Sequence, residues 1–224
     1  MSETTSYQKA DETAPIVTAT ETTAEATAEI KLKLQNYLKL SFAVTAILVV
    51  GTGVASLALY LDGNNKGIYE SKIQQLKALD LQWLYLALVI LGRTIQYVNL
   101  LPTMYKKGLK GNIRSNPFFF ETDDEHKTTV IFKEDGRYGA YNRSNRSVHH
   151  MVEGSGGFFA SIGPVGYLFP KQMLALVVIF CAGRILHQKG YTAKYGGHAK
   201  GFALSVLAIA ATEGLALIAF VRAQ

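Results

Sequence analysis

The sequence predicts an all-α membrane protein, because long uncharged apolar runs dominate a chain with few charges. Of its 224 residues, 49% are hydrophobic and 18% are charged, whereas soluble domains carry roughly 25% charged residues. The apolar runs are continuous instead of alternating, which argues against a closed β-barrel. Backbone amides in lipid must be satisfied within each segment, which leaves helices. Cys181 is the only cysteine, so we exclude a disulfide scaffold and expect a core residue.

An acidic segment comes first in the chain. The first thirty residues hold six Asp or Glu against Lys9 alone, in a background of Thr and Ala. This composition has too little apolar surface to fold, so residues 1–35 are predicted to form a disordered tail. A secretory signal needs a basic start and an apolar core, and a transit peptide is rich in Arg and poor in acids, so neither signal fits.

Five apolar segments follow the tail. The first, Leu40–Leu61, is uncharged for 22 residues and predicts a transmembrane helix at residues 36–62, since about 20 residues cross a hydrocarbon core. The third segment is rich in Gly, so we expect it to pack closely against neighbouring helices. In chain order the other four segments are Leu81–Leu101, Gly154–Pro170, Gln172–Gly183 and Gly201–Val221.

The basic residues predict an orientation. If five helices cross the membrane, most Lys and Arg fall on the side that holds the N-terminus. That side is therefore cytosolic, or the equivalent matrix or stromal face. The loop 102–141 lies there, and its sequence FKEDGRYGAY predicts a short hairpin. Because Lys and Arg flank apolar segments instead of forming a basic stretch with aromatics, we expect no nucleic-acid partner.

Ionisable residues enter the predicted bundle along two stripes at the cytosolic ends of two helices. Their spacings of three, four and seven residues place each set on one helix face, and charged groups at membrane depth tend to line a cavity. Arg pairs with carboxylates and Glu accepts from an ammonium group, which favours a small zwitterionic ligand with several carboxylates. Alternatively, the same side chains snorkel to the interface or form helix-end salt bridges. The stripes are Arg146, His150 and Glu153, with Arg143 beside them, and Arg184, His187 and Tyr191.

Two further features concern ionisable residues, the adjacent histidines and a glutamate in the last apolar segment. His149 and His150 point to different faces of a helix, so no metal site is expected there. Glu213 lies inside the last apolar segment. It either pairs with an intramembrane arginine, such as Arg93 or Arg184, or is neutral and protonated, and the sequence leaves both possibilities open.

The runs around these stripes resemble a known family. They are YNRSNRSVHHMVEGSGGFF, GRILHQKGY and KYGGHAKG, together with LLPTMYKKG before the loop. They are similar to the membrane-associated proteins in eicosanoid and glutathione metabolism (MAPEG), which include microsomal glutathione transferases, leukotriene C synthase and prostaglandin E synthase. The resemblance covers Leu81–Val221. It implies a MAPEG-like four-helix transmembrane bundle at residues 80–224, preceded by one additional N-terminal transmembrane helix.

The resemblance also implies a homotrimer that binds glutathione between neighbouring subunits near the cytosolic face. His150 stands where the family has Asn, and His187 stands where many members have Tyr. Both are expected to contact the tripeptide. The residues that match the glutathione-binding positions directly are Arg146, Glu153, Arg184 and Tyr191, and Arg143 is included as their neighbour.

The group that activates glutathione differs from the family pattern. The enzymes resembled place an Arg at the start of the last span to stabilise the thiolate, since a free thiol has a pKa of about 8.5. This chain has His198 and Lys200 there. Lys200 can act as an ammonium, and His198 can act when protonated or as a hydrogen-bond donor. These two are the predicted catalytic residues.

Two functions follow from the resemblance. The first is a glutathione transferase or peroxidase of the endoplasmic reticulum or another organellar membrane. In it the thiolate of glutathione attacks a lipophilic electrophile or lipid hydroperoxide arriving from membrane lipid, and no metal is needed. The second is a catalytically silent accessory subunit of a larger membrane complex, favoured by the substituted activating position and the additional helix.

Overall fold

A computed structural model of the protein describes residues 19–106, 118–122 and 130–224, by backbone alone at 19–26, 28, 29, 64 and 66. The chain divides into two compact units, Met1–Lys39 and Leu40–Gln224. The predicted tail up to residue 18, and residues 107–117 and 123–129 of the predicted loop, lie outside the described residues.

The described chain is almost entirely helical, in agreement with the predicted all-α class. Two short strands pair antiparallel, with Glu121 opposite Ile131. In chain order the elements are α1 (Ala19–Leu61), a 3₁₀ turn (Gly63–Asn65), α2 (Lys66–Ala78), α3 (Gln82–Leu100), α4 (Thr103–Lys106), β1 (Phe120–Thr122), β2 (Val130–Phe132), α5 (Gly136–Leu168), α6 (Pro170–Ala193) and α7 (Ala199–Arg222).

The first helix begins earlier than the sequence predicted. Residues 19–35, expected to be disordered, are helical from Ala19 onward. Ala, Glu, Lys, Leu and Gln have high helix propensity, and residues that extend an existing helix need no new nucleus. In the apolar part, Phe42, Val50 and Leu57 are exposed, which suits a helix surrounded by lipid.

Among the described residues, four helices are long and apolar enough to cross a membrane, so the chain is a multi-pass membrane protein. The third predicted segment, Gly154–Pro170, falls mostly in α5, whose Gly and polar residues lower its mean apolarity. Length and composition therefore support four spans in the described ranges instead of the predicted five. The four are Ile30–Leu61, Gln82–Lys106, Pro170–Ala193 and Ala199–Arg222.

Although α5 is less apolar, it runs antiparallel to α6 along most of its length. Near one end Arg143 donates to the Thr192 carbonyl at 3.1 Å. Near the other end a Cβ added at Gly166 would lie 3.1 Å from Cγ of Met173, and Phe169 alone separates the two helices. α5 therefore extends through the bundle alongside the whole length of α6.

The core lies where α3, α5, α6 and α7 meet. Phe158 of α5 stacks on Phe180 of α6 with ring centroids 4.4 Å apart. Cys181 is buried in this core, which confirms its predicted place. The other buried members are Leu81, Leu84, Ala87, Leu91, Ile162, Val165, Met173, Val177 and Ala208.

Glycines permit a close crossing of α6 and α7. A Cβ added at Gly183 would lie 2.7 Å from the Ser205 hydroxyl, and one added at Gly201 would overlap the backbone of His187. Larger residues would therefore force the helices apart. The crossing brings the ring of His187 to within 5.2 Å of the ring of His198, measured between centroids.

The hairpin lies upstream of the predicted position. Of the predicted segment FKEDGRYGAY, only Phe132 lies in a strand, and the chain is helical from Gly136 onward. Asp135 is extended and Gly136 has φ +58°, a conformation that glycine adopts readily, so the chain turns there into α5. The loop predicted to end at residue 141 therefore ends at Asp135.

Asn142, fully buried in α5, anchors the hairpin. Its side-chain oxygen accepts from the Phe119 N–H at 2.8 Å, and its side-chain nitrogen donates to the carbonyls of Phe119 and Lys133, each at 2.8 Å. The Phe119 ring packs edge-on against Tyr138 and Tyr141. Because these contacts all come from the start of α5, that helix positions the described part of the loop.

At the opposite end of the bundle, an ion pair joins the turn before α3 to the start of α6. The Asp80 carboxylate accepts from Nζ of Lys171 at 2.8 Å, and this hydrogen bond lowers the pKa of Asp80. Asp80 has φ +58°, a left-handed conformation that Asp and Asn adopt more readily than most residues.

Glu213 does not form either predicted ion pair within one chain. It is exposed in α7, and the described residues offer it neither a salt bridge nor a hydrogen bond. Arg93 donates to the Val44 carbonyl, and Arg184 donates to the Ser147 carbonyl. The two arginines therefore point to partners other than Glu213.

Candidate functional site

The two predicted stripes meet where α5 packs on α6. The Ser147 hydroxyl lies 2.7 Å from Nδ1 of His187, and the Ser147 carbonyl accepts from Nη2 of Arg184 at 3.0 Å. One turn away, the Gln188 amide donates to both the carbonyl and the hydroxyl of Ser144 at 2.9 Å. These buried bonds fix the α6 stripe against α5.

Four rings gather beside these bonds, and we call them the imidazole cluster: His150, His187, Tyr191 and His198. The His187 ring stacks on Tyr191 at 5.8 Å between centroids and lies 6.0 Å from His150. His198 meets Tyr191 edge-on at 5.0 Å. The cluster therefore joins α5, α6 and the start of α7 into one surface.

Three buried nitrogen atoms in this region have no hydrogen-bond partner within the described residues. They are Nε of Arg184, Nε2 of His187 and Nδ1 of His198. Arg184 is 4% exposed and His187 is fully buried. Buried polar atoms are nearly always paired, so unpaired ones indicate where a ligand or an ordered water binds. A guanidinium donor and two imidazole nitrogens suit an anionic or hydrogen-bonding ligand.

Arg146 and Glu153 lie on the outer face of α5. Nη1 of Arg146 is 3.4 Å from Oε1 of Glu153, and the side chains are 45% and 58% exposed. An exposed pair at this distance is held weakly, so either side chain can turn to another partner. His150, between them in sequence, faces the cluster instead. The predicted stripe is therefore shared between two faces.

Arg143 binds backbone carbonyls at the end of α6 and before α5. Its Nε donates to the Thr192 carbonyl at 3.1 Å and its Nη1 to the Glu134 carbonyl at 2.6 Å. Its guanidinium lies 5.5 Å from the Tyr195 ring centroid. These contacts tie the end of α6 to the segment before α5. They give Arg143 a structural role, and its contact with a ligand stays a prediction.

Of the two predicted catalytic residues, His198 lies in the cluster and Lys200 is exposed. His198 precedes Gly201 by three residues, which places both on one face of the start of α7. Lys200 directly precedes Gly201 and so points about 100° away from that face. Within one protomer, His198 is therefore the better placed residue. The buried face of α7 continues through Ser205, Ala208 and Thr212.

Ser147, Ser144 and Gln188 were not among the residues predicted from the sequence. Ser144 and Ser147 belong to the face of α5 that is buried against α6. The sequence contained a pattern that indicates this buried face, because the two serines and Met151 recur at spacings of three and four residues. The prediction instead followed the charged residues on the neighbouring face of the helix.

The adjacent histidines point to different faces, as predicted. The His149 ring packs edge-on against Phe118 with centroids 5.2 Å apart, whereas His150 faces His187. Across the ranges that the structure describes, no group of three or more His, Cys, Asp or Glu is placed to hold a metal ion.

An apolar groove of about 390 Å³ lies between α5 and α7, near the turn to α6. It is lined mainly by Ala160, Pro164, Leu168 and Ala219. Pro164 is fourteen residues beyond His150, or about 21 Å along the helix. The groove is therefore separate from the imidazole cluster.

No family model, no curated protein and no solved structure matches this chain. The MAPEG resemblance therefore depends on the short motifs quoted above.

Proposed function

We propose that this protein is an integral-membrane glutathione-dependent transferase or peroxidase with a MAPEG-like protomer. The observation that carries the proposal is the unpaired Nε of Arg184, a buried guanidinium beside the imidazole cluster. A buried charge needs a partner of opposite charge or strong acceptors. Glutathione has two carboxylates and an ammonium group, so it can supply that partner and also meet the exposed charges on α5.

In this proposal, Arg184 and Arg146 bind glutathione carboxylates, and Glu153 accepts from the ammonium group. His150 and Tyr191 orient the tripeptide, because their rings lie 5.7 Å apart on facing helices. These assignments use the side chains at the junction of α5 and α6. The long and exposed Arg146–Glu153 contact opens as the ligand binds.

His198 is the proposed partner of the glutathione sulfur. Its Nδ1 is buried without a partner in the described chain, and a donor at this atom favours the thiolate over the thiol. In conjugation, the sulfur–carbon bond forms as the leaving group departs with its electron pair. With a lipid hydroperoxide, the oxygen–oxygen bond breaks, and two glutathione molecules supply two electrons to yield the alcohol, water and glutathione disulfide.

A homotrimer in the endoplasmic reticulum or another organellar membrane is part of the proposal. Small residues Gly156, Ala160 and Gly163 lie exposed on α5, and nothing lies within 4 Å of a Cβ built on either glycine. Small residues let helices from different chains approach closely. Lys200 is exposed in the protomer and can therefore reach the site of a neighbouring subunit in such a trimer.

Glutathione binding by the detergent-purified protein tests the proposal. Wild-type protein should bind glutathione in titration calorimetry, and Arg184→Gln should weaken binding at least tenfold, because the ligand loses its charged donor. Arg143→Gln is the matched control and should change the affinity less than twofold. Helical circular dichroism checks that both variants fold. A folded wild-type protein that binds no glutathione rejects the proposal.

Turnover separates the two candidates for the activating group. We expect His198→Ala to lower conjugation to a generic aromatic electrophile at least tenfold, while Lys200→Ala has the smaller effect. The reverse order would assign the sulfur contact to Lys200 from a neighbouring subunit. Binding without turnover would favour the second function.

That second function is a catalytically silent accessory subunit of a larger membrane complex. One observation favours it: α1 exposes apolar side chains on all sides between Val49 and Leu61, a surface that another membrane protein can cover. Extraction of the native membrane in mild detergent tests it. An accessory subunit should migrate with a large complex, whereas a free oligomer with turnover contradicts this function.

A further inference from the structure

Two charged side chains within the apolar spans lack a charged partner in the described protomer. Glu213 is exposed in α7. Arg93 in α3 is half-buried, and its Nη1 reaches the Val44 carbonyl at 3.4 Å, which is long for a hydrogen bond. Ionisable groups at this depth are costly unless they pair or face water. Both side chains therefore call for a partner outside their own chain.

The two charges lie on different sides of the bundle. α3 and α7 both pack extensively on α6, and much less on each other. Arg93 precedes buried Thr94, and Glu213 follows buried Thr212, so each charge lies about 100° around its helix from a core position. An acid and a base on separate faces of one chain can meet when identical chains associate head to tail.

Their depths also correspond. Gly183 lies level with Ser205 at the α6–α7 crossing, and Leu84 of α3 lies level with Met173 of α6, since a Cβ built on Gly166 would meet both side chains. Counting along the helices from these contacts, Arg93 lies about seven residues from the level of Glu213, or about 10 Å.

The directions of the two helices reduce this separation. α3 runs parallel to α6, whereas α7 runs antiparallel to it. α3 and α7 therefore run in opposite directions through the bundle. Side chains lean towards the N-terminus of their helix. Arg93 and Glu213 therefore lean towards a common level, which the long arginine side chain can span.

We propose that Glu213 of one copy forms an ion pair with Arg93 of a neighbouring copy. α7 of each chain then docks beside α3 and α1 of the next. A second copy is the occupant because it supplies the complementary charge in equal number, and a closed ring leaves no copy unpaired. Ala210 and Gly214 flank Glu213, and nothing lies within 4 Å of a Cβ built on Gly214, so a neighbouring helix can approach closely.

The mass of the protein in mild detergent, measured by light scattering without glutathione, tests the pairing. Wild-type protein should form a closed oligomer. Glu213→Gln and Arg93→Gln should each weaken association at least tenfold, so that smaller species appear at the same concentration. The charge exchange in one chain, Arg93→Glu with Glu213→Arg, should restore the oligomer. Glu70→Gln, on the exposed surface of α2, is the matched control and should leave the mass unchanged.

Three outcomes overturn the pairing: a monomeric wild-type protein, single variants that keep the full mass, or a charge exchange that fails to restore a mass lost in both single variants. Helical circular dichroism identifies a variant that fails to fold, and Glu213→Gln alters only an exposed side chain. Since glutathione is absent from the measurement, a chain that binds no glutathione tests the pairing equally well. The pairing adds a specific contact to the proposed homotrimer, and it does not depend on glutathione binding or turnover.

Discussion

The Ser147 hydroxyl lies 2.7 Å from Nδ1 of His187 and thereby determines which nitrogen of that ring is left for a ligand. His187 is fully buried, and its Nε2 has no partner within the described residues. A hydrogen bond at one ring nitrogen sets the tautomer and orientation of the other. An atom on α6 that faces the candidate site is therefore positioned by a side chain on α5.

Ser147→Ala should lower stability by about 1–3 kcal/mol, because it leaves Nδ1 of His187 buried without a partner. Thermal unfolding in detergent, followed by helical circular dichroism, measures the effect. Ser71→Ala, on the exposed face of α2, is the control and should leave the midpoint unchanged. Equal midpoints for the two variants would show that the Ser147 contact contributes nothing.

Asn142→Ala should release the hairpin from α5. The substitution removes three hydrogen bonds of 2.8 Å to the backbone of Phe119 and Lys133, a loss of about 3 kcal/mol. Hydrogen exchange should accelerate at residues 118–122 and 130–133, with little change in α6. Asn99→Ala, exposed in α3, should have no such effect, and unchanged exchange in the hairpin would contradict the anchor.

Gly201→Ala should destabilise the bundle by about 1–3 kcal/mol, the usual cost of overpacking. The added methyl group would overlap the His187 backbone and force α6 and α7 apart. At Gly92, nothing lies within 4 Å of an added Cβ, so Gly92→Ala should be neutral or stabilise by up to about 1 kcal/mol. The comparison of their unfolding midpoints is the test, and similar midpoints would argue against the close crossing.

The Asp80–Lys171 pair should make stability depend on acidity. The pKa of Asp80 is lowered in the folded chain by its hydrogen bond from Lys171. Its contribution is therefore present above the ordinary carboxyl pKa of about 3.9 and is lost as the pH falls through the lower folded value. Asp80→Asn tolerates the same backbone conformation, and its unfolding midpoint should vary less with pH in this acid range.

If the unfolding midpoints of the wild-type protein and the Asp80→Asn variant depend on pH in the same way, the dependence comes from other carboxyl groups. Lys171→Gln provides a second check, since it removes the donor but leaves the titrating carboxyl group. It should raise the pKa of Asp80 towards its ordinary value and weaken the same acid transition.

Much of the helical architecture could be predicted from local patterns. The span Leu81–Leu101 corresponds to α3 within one residue at each end, because its apolar run and Pro102 both act locally. α5 was harder, since Gly154–Pro170 was predicted as a span although Gly and polar residues leave its helix less apolar than the four candidate spans in the described residues. Its place depends on contacts with α6 that only the folded chain contains.

The sequence by itself determined the membrane class and the apolar helices, and it indicated the polar residues of the two stripes, because these depend on composition and on spacing along one helix. Only the tertiary structure decided how the stripes are used: Arg143 binds backbone carbonyls, His198 joins the cluster and Lys200 is exposed. The reason is that a spacing of three or four residues defines a face of one helix. Which face meets which neighbour is set by close packing, here at Gly183 and Gly201.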